Sequence, residues 1–228
     1  MLIEKTADIG QAVDRIMDSK MFDYGMICSS EESIIVEASV KEELVQKLKD
    51  KGAYFIDEVE QDKLSQVLLN EKGTLNPQVV GKPVPVLAQL ADIDVPKDAK
   101  LLIAAQTNIS KENPFAGEKL TSLLTLYTVN DWAEGIEKAS QLLDITGLGH
   151  TAIVYSTDQE KIEEFGVAVN ASRIIVNSGG ILGGIGMTTQ LDPSLTLGCG
   201  TAGGGSTTDN ITVKHLLNIR RVATHYER

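Results

Sequence analysis

Cys28 is the side chain of this sequence best suited to covalent chemistry. It follows Gly25-Met26-Ile27, precedes two serines and stands just ahead of an apolar run that predicts a buried strand. A turn at a strand end can hold a thiol at a cleft with backbone N–H groups nearby. Because the thiolate is the reactive form, such a thiol acts as a nucleophile only where its pKa is lowered or a base is close. The alternative is a buried structural cysteine, which is a common environment for a free thiol.

His150 is a candidate proton acceptor, since imidazole titrates near neutral pH. The alternative is that it begins a strand and orders a loop through hydrogen bonds. It is far in sequence from His215 and His225, and neither cysteine has zinc-ligand spacing, so no metal site is predicted. Lys214 and His215 could contact an anionic cofactor, with a helix cap or a docking arm as the alternatives.

Short apolar strands and amphipathic helices alternate along the chain. The first helix, capped by Thr6 or Asp8, places Ile9, Val13, Ile16 and Lys20 on one stripe. A capping box at Ser39 and Glu42 indicates a second helix. Further strands are predicted at residues 33–38, 100–105, 123–129, 151–155 and 172–177, and further helices at 57–70, 132–143 and 158–170. The alternation predicts an α/β fold: a mostly parallel, doubly wound sheet with helices on both faces.

Two glycine-rich runs, at residues 179–186 and 198–205, follow the last predicted strand. Glycine permits close backbone approaches, and loops at the ends of parallel strands commonly bind ligands. Neither run matches a dinucleotide-binding or phosphate-loop fingerprint. The tail that begins at residue 216 is expected to be a strand or an arm that docks on another chain. The predicted organisation is a cysteine-bearing domain at residues 1–215 and a C-terminal arm at 216–228.

The composition narrows the possible partners. The net charge of −11 argues against nucleic acid and anionic membrane surfaces. No apolar run approaches the roughly 20 residues that a membrane-spanning helix needs. With only two cysteines in 228 residues, a reducing cytoplasm is favoured over a secreted, disulfide-built scaffold.

Five segments form an ordered series of motifs along most of the chain. They are Phe22-Asp23-x-Gly25-x-Ile27-Cys28-x-Ser30-Glu31, Pro114-Phe115-Ala116-x-Glu118-Lys119-Leu120, Gly147-x-Gly149-His150-Thr151, Pro193-Ser194-Leu195-Thr196-Leu197-Gly198-Cys199-Gly200 and Lys214-His215-Leu216-Leu217-Asn218. The series resembles the CoA-acylating aldehyde dehydrogenases, including the aldehyde dehydrogenase half of bifunctional aldehyde–alcohol dehydrogenases. The resemblance implies the catalytic domain of the aldehyde dehydrogenase superfamily.

The resemblance also implies a reaction, with NAD and coenzyme A as cofactor and co-substrate. Cys28 would attack an aldehyde to give a thiohemiacetal, hydride would pass to NAD⁺, and the CoA thiol would release the acyl group from the thioester. The backbone N–H of Cys28 would be one oxyanion donor; in the superfamily the other is an asparagine of the nucleotide-binding half. Acetaldehyde is the expected substrate, with propionaldehyde and succinate semialdehyde as alternatives.

The matching positions receive roles from the same resemblance. Glu118 would accept hydrogen bonds from the nicotinamide ribose, Leu197 would line the cleft at the nicotinamide, and His150 would deprotonate Cys28 or the CoA thiol. Many relatives have proline where this chain has Ser122, which puts the local turn near Glu118 in doubt. Cys199 is interpreted as pocket lining or packing.

No segment of this chain resembles the nucleotide-binding half of the family. The expectation is therefore a chain with little activity alone, which forms homo-oligomers as the superfamily does. One alternative is a hydrolytic aldehyde dehydrogenase, in which water takes the acyl group. Another is a non-catalytic binding or assembly module of the same fold, with an unreactive Cys28.

Overall fold

Strands and helices alternate in the structure, a computed structural model that describes residues 1–227. The strands are β1 (Leu2–Ile3), β2 (Ser33–Glu37), β3 (Ala53–Ile56), β4 (Leu101–Ala105), β5 (Leu123–Val129), β6 (Gly149–Tyr155) and β7 (Ala171–Val176). The helices are α1 (Ile9–Met21), α2 (Ala38–Asp50), α3 (Glu58–Leu68), α4 (Val84–Ala91), α5 (Trp132–Ile145), α6 (Gln159–Ala168) and α7 (Gly180–Gly184). All seven strands are parallel, in the order β3-β4-β5-β2-β1-β6-β7. The predicted parallel, doubly wound sheet is confirmed.

Alternate residues of each strand point to opposite faces of the sheet, and helices cover both faces. On one face, Ile34 and Val36 of β2 pack with α1 and α2. On the other face, Ile35 packs with α5 and α6, and Leu102 of β4 packs with α3 and α4. Apolar side chains on both faces explain why these strands appear in the sequence as continuous apolar runs.

Aspartate caps set the start of four helices. Asp8, Asp57, Asp131 and Asp158 each accept a hydrogen bond from a backbone N–H of the first helical turn. Asp57 also forms a complete capping box with Glu60. These contacts satisfy N–H groups that have no partner within the helix, and so fix where each helix leaves the sheet.

Some predicted boundaries were wrong. Helix α2 begins at Ala38, directly after β2, so Ser39 lies inside its first turn and the proposed capping box is not the start of the helix. The predictions also missed β1, β3, α4 and α7. β1 has only two residues, although it lies between β2 and β6 and is fully buried.

The tail forms no strand within residues 217–227. A 3₁₀ turn at Val213–Leu216 is followed by chain without regular structure, whose apolar side chains are exposed: Leu217, Ile219, Val222 and Tyr226. The docking arm therefore stays a prediction, and Arg228 at its end lies outside the described residues. None of the described helices is long and apolar enough to cross a membrane.

Candidate active site

Cys28 lies at the corner of a tight turn between α1 and β2. The Ser30 N–H donates a hydrogen bond of 2.8 Å to the Ile27 carbonyl, which closes the turn around Cys28. Just before it, Gly25 adopts a φ of 72°, where an added Cβ would lie 2.9 Å from Lys20 Nζ. The Cys28 side chain is exposed. The turn therefore presents the thiol outward rather than burying it in the core.

Three of the four predicted site residues line one cleft. Cys28, Glu118 and His150 surround a cavity of about 150 Å³, whose apolar wall includes Leu142 and Phe165. Cys28 precedes β2, Glu118 precedes β5 and His150 follows the first residue of β6. The cleft thus lies at the amino ends of the parallel strands, whereas doubly wound sheets more often bind ligands at the carboxyl ends.

Leu197 lies close to this cleft but is not part of its lining. It pairs with Asn210 through an isolated antiparallel bridge. A Cβ at Gly184 would lie 3.7 Å from Leu197 Cδ1 and 3.0 Å from Ser29 Oγ. Leu197 and Ser29, the residue next to Cys28, therefore both lie close to Gly184.

The surroundings of Cys28 disfavour its charged form. Burial of part of the side chain raises the pKa of the Cys28 thiol, and the negative charge of Glu118 raises it further. The backbone N–H of Cys28 and the positive charge of Arg173 act in the opposite direction. Because the raising effects prevail, the thiol of the chain by itself is mainly protonated at neutral pH.

His150 combines features of both sequence-based alternatives. Its Nδ1 lies 2.8 Å from Thr151 Oγ1, and its carbonyl accepts a hydrogen bond of 3.1 Å from Arg173. Burial, and then the charge of Arg173, lower the pKa of His150, so the imidazole is neutral at physiological pH. The ring thus orders its own strand while it lines the cleft in a form that can accept a proton.

Glu118 is exposed at the mouth of the cleft. Desolvation raises the pKa of its carboxyl, and the nearby charge of Glu32 adds to the effect. Ser122 is buried, and its N–H approaches the Lys82 carbonyl at 3.4 Å. The proline expected here from the resemblance could not donate this bond.

A buried group of charges beneath the cleft was not predicted. Glu32 lies between two fully buried lysines, with Oε1 3.3 Å from Lys20 Nζ and Oε2 3.5 Å from Lys119 Nζ. Lys20 also donates to the Glu31 carbonyl at 2.6 Å, and Lys119 donates to the Phe115 carbonyl at 3.0 Å. The group therefore joins the Cys28 turn to the loop that carries Glu118. The place of Lys20 on the apolar stripe of α1 was the one sequence signal for it.

Gly149 explains why glycine precedes His150. It has a φ of 74°, and an added Cβ would lie 2.2 Å from the Cys199 carbonyl oxygen. Only glycine allows the second glycine-rich run to approach β6 this closely. Cys199 is half-buried in that run, which fits its interpretation as packing.

No group of three or more His, Cys, Asp and Glu side chains within residues 1–227 is arranged to hold a metal ion. The cleft presents a thiol, an imidazole and three carboxylates, those of Glu31, Glu32 and Glu118.

Comparisons with known proteins agree with the motif series. The aldehyde dehydrogenase family model matches residues 1–66. Over its full length, the chain is 39% identical to the bifunctional aldehyde-alcohol dehydrogenase of Escherichia coli K12, covering 26% of that protein. It is 45% identical to an acetylating aldehyde dehydrogenase from Geobacillus thermoglucosidasius, with a TM-score of 0.96, covering all of this chain and 50% of that one.

A more distant structure carries ligands. The propionaldehyde dehydrogenase of Rhodopseudomonas palustris, solved with bound CoA and an acylated cysteine, is 26% identical, with a TM-score of 0.78. The match covers 91% of this chain and 46% of that one. The chain thus spans about half the length of the similar single dehydrogenases and about a quarter of the similar bifunctional enzyme.

Proposed function

We propose that this chain, which is similar over its full length to part of an acetylating aldehyde dehydrogenase and of a bifunctional aldehyde-alcohol dehydrogenase, supplies the nucleophile for the reversible oxidation of a short-chain aldehyde to acyl-CoA. One observation carries the proposal. An exposed thiol, Cys28, stands at the corner of a tight turn in a cleft that also holds an exposed carboxylate, Glu118, and a neutral imidazole, His150.

Cys28 forms and then breaks one carbon–sulfur bond. Its thiolate attacks the aldehyde carbon, and the oxygen that becomes negative lies near the backbone N–H of Cys28. When bound, NAD⁺ supplies the acceptor for the hydride that leaves this carbon, after which the acyl group is a thioester of Cys28. The CoA thiol attacks that thioester, and Cys28 leaves as thiolate. A thioester suits this step because it can be passed to another thiol.

His150 is the proposed proton acceptor for the thiols. The pKa of Cys28 is raised, so a base has to remove the proton before attack, and the neutral ring of His150 has Nε2 free of the Thr151 contact. The proton of the CoA thiol would go to the same ring. His150 and Cys28 share the cleft without a direct hydrogen bond among the described residues, so substrate or a water has to bridge them.

The exposed carboxylate of Glu118 fits the ribose of a nicotinamide cofactor, since its two oxygens can accept bonds from two hydroxyls. Leu197, which lies close to Gly184, would contact the nicotinamide. We propose acetaldehyde as the substrate, because the chain is 45% identical to an acetylating enzyme and 26% identical to a propionaldehyde dehydrogenase. A cytoplasmic location, and self-association through the exposed apolar side chains within residues 216–227, complete the proposal.

Intact-mass spectrometry after incubation with acetyl-CoA tests the nucleophile directly. Transfer of the acetyl group runs the last half-reaction backwards and needs no hydride acceptor. One acetyl group on the wild-type protein, and none on Cys28→Ser, is the expected result. A wild-type protein that gains no acetyl group, or a Cys28→Ser variant that gains the same amount, would contradict the proposal. If the protein were instead a hydrolytic aldehyde dehydrogenase or a non-catalytic module, acetyl-CoA would transfer no acetyl group to Cys28.

A further inference from the structure

Arg173 is a buried cation whose bonds all go to uncharged acceptors. Only 3% of the residue is exposed, and it lies on β7 directly beside Thr151 of β6. Its guanidinium donates to one side-chain oxygen and four backbone carbonyls: Asn210 Oδ1 (2.8 Å), His150 (3.1 Å), Gly198 (2.6 Å), Thr208 (3.0 Å) and Asp209 (3.3 Å). Such a fork satisfies its N–H groups, but carbonyl dipoles leave its positive charge unneutralised.

These bonds connect separate parts of the cleft. The His150 carbonyl belongs to the strand that carries the proposed base, and the Gly198 carbonyl follows Leu197 directly. Asn210 extends the connection, since its Nδ2 donates to the Gly184 carbonyl at 2.9 Å, and Gly184 packs on Ser29. The Arg173 guanidinium thus connects strand β6, which carries His150, with the loop that carries Leu197. Through Asn210 it also connects them with Gly184, which packs on Ser29 beside Cys28.

The charge of Arg173 also reaches both reactive side chains. It lowers the pKa of the Cys28 thiol and the pKa of His150, which favours the thiolate and the neutral imidazole. Glu118 acts on Cys28 in the opposite direction. The other ionisable groups that line the cleft among the described residues, besides His150, are Glu31, Glu32, which pairs with buried lysines, and the amino terminus of Met1, whose pKa burial lowers to about 6. Of the charges that act on Cys28, that of Arg173 is the positive one that opposes Glu118.

We propose that Arg173 is a positioning residue of the active site, which fixes the Leu197–Cys199 loop against the His150 strand and holds a buried positive charge against that strand, which lines the same cleft as Cys28. The inference rests on the proposed function, because it assigns Arg173 to the chemistry of that same thiol. It concerns a residue that neither the motif series nor the pattern of strand β7 had singled out.

Two substitutions separate the charge of Arg173 from its hydrogen bonds. Arg173→Lys keeps the positive charge but loses the planar guanidinium with its set of hydrogen bonds, and Arg173→Met loses both the charge and the hydrogen bonds. The first readout is the rate of Cys28 alkylation by iodoacetamide as a function of pH, measured in a Cys199→Ser background so that one thiol reacts. The second is acetyl transfer from acetyl-CoA. Arg15→Met is the matched control, because Arg15 also donates to a backbone carbonyl, that of Asn177, beyond the carboxyl end of β7.

We expect Arg173→Met to move the alkylation profile to higher pH and so to slow alkylation at neutral pH, because the charge that lowers the pKa of Cys28 is removed. Arg173→Lys should keep the alkylation profile of the wild type but lose acetyl transfer, since the loop is no longer held. Arg15→Met should change neither. An unchanged profile in Arg173→Met, together with unchanged acetyl transfer in Arg173→Lys, would overturn the proposal.

Asn210→Ser keeps the inference testable if Arg173→Met does not fold, as judged by circular dichroism. It removes the side-chain acceptor of Arg173 and keeps the charge, so it should slow acetyl transfer and leave the alkylation profile in place. Undiminished acetyl transfer in Asn210→Ser would contradict the positioning role. Failure of the proposed function looks different: the wild type would then take no acetyl group, while the alkylation profiles would still report the charge effect.

Discussion

Replacement of Lys119 by methionine should abolish a specific pH dependence of stability. The ammonium group of Lys119 is fully buried, and burial lowers the pKa of Lys119 from 10.5 to about 8 even though Glu32 lies 3.5 Å away. Between these two pH values the unfolded chain keeps a proton that the folded protein has lost. The free energy of unfolding therefore rises with pH across this interval, because the unfolded state binds more protons.

The size of the effect follows from the same two pKa values. With 10.5 in the unfolded chain and about 8 in the folded protein, Lys119 should add about 2 to 3 kcal/mol to the free energy of unfolding between pH 7 and pH 10. Lys119→Met has no such proton and should lack the increment. Other groups also titrate in this interval, so the informative quantity is the difference between wild type and variant at each pH.

Urea unfolding followed by circular dichroism, at pH 7 and pH 10 with a reducing agent for the two free cysteines, gives this difference. Lys47→Met is the control, because Lys47 is 41% exposed and pairs only with Glu43 along its own helix. The wild type should gain about 2 to 3 kcal/mol relative to Lys119→Met at the higher pH, and nothing relative to Lys47→Met. A gain below about 1 kcal/mol relative to Lys119→Met would mean that the ammonium group is hydrated rather than enclosed with Glu32.

Three further predictions concern single residues. Glu118→Gln removes a charge that raises the pKa of Cys28, so the iodoacetamide profile of Cys28 should move to lower pH; a shift to higher pH would contradict the electrostatic argument. Gly149→Ala places a Cβ 2.2 Å from the Cys199 carbonyl oxygen at a positive φ, and should lower stability by about 1 to 3 kcal/mol in urea unfolding and slow acetyl transfer. Asp57→Ala should cost about 1 kcal/mol through loss of its capping box and leave Cys28 alkylation unchanged, since α3 does not line the cleft.

The parts of the fold that could be predicted are those whose signal is local. The strand at residues 123–129 is a short run of apolar and β-branched residues, and its predicted bounds are those of β5. Asp8 was one of two caps proposed for the first helix, and the structure shows it bonded to the Gln11 N–H. β1 could not be found in this way, because two apolar residues carry no periodicity and their place is fixed by the strands on either side.

The same distinction between features with and without a local sequence signal applies to the candidate site. Cys28, Glu118 and His150 were proposed from motifs, and the structure brings them to one cleft. The sequence also carried the placement of this cleft at the amino ends of the strands, because Cys28, Glu118 and His150 each precede a predicted strand, and parallel strands share one amino edge. It hid, however, the role of Arg173, which is a single charged residue inside an otherwise strand-like segment.

Arg173 was hidden for a physical reason. Its acceptors are largely backbone carbonyls, and any residue type can provide a carbonyl. A carbonyl shell therefore leaves no trace in the side-chain pattern, whereas a carboxylate partner would. Because carbonyl dipoles solvate a cation without cancelling its charge, Arg173 can still act on a neighbouring thiol. The pKa of Cys28, which burial raises, thus depends further on Glu118, which the motifs reveal, and on Arg173, which they do not.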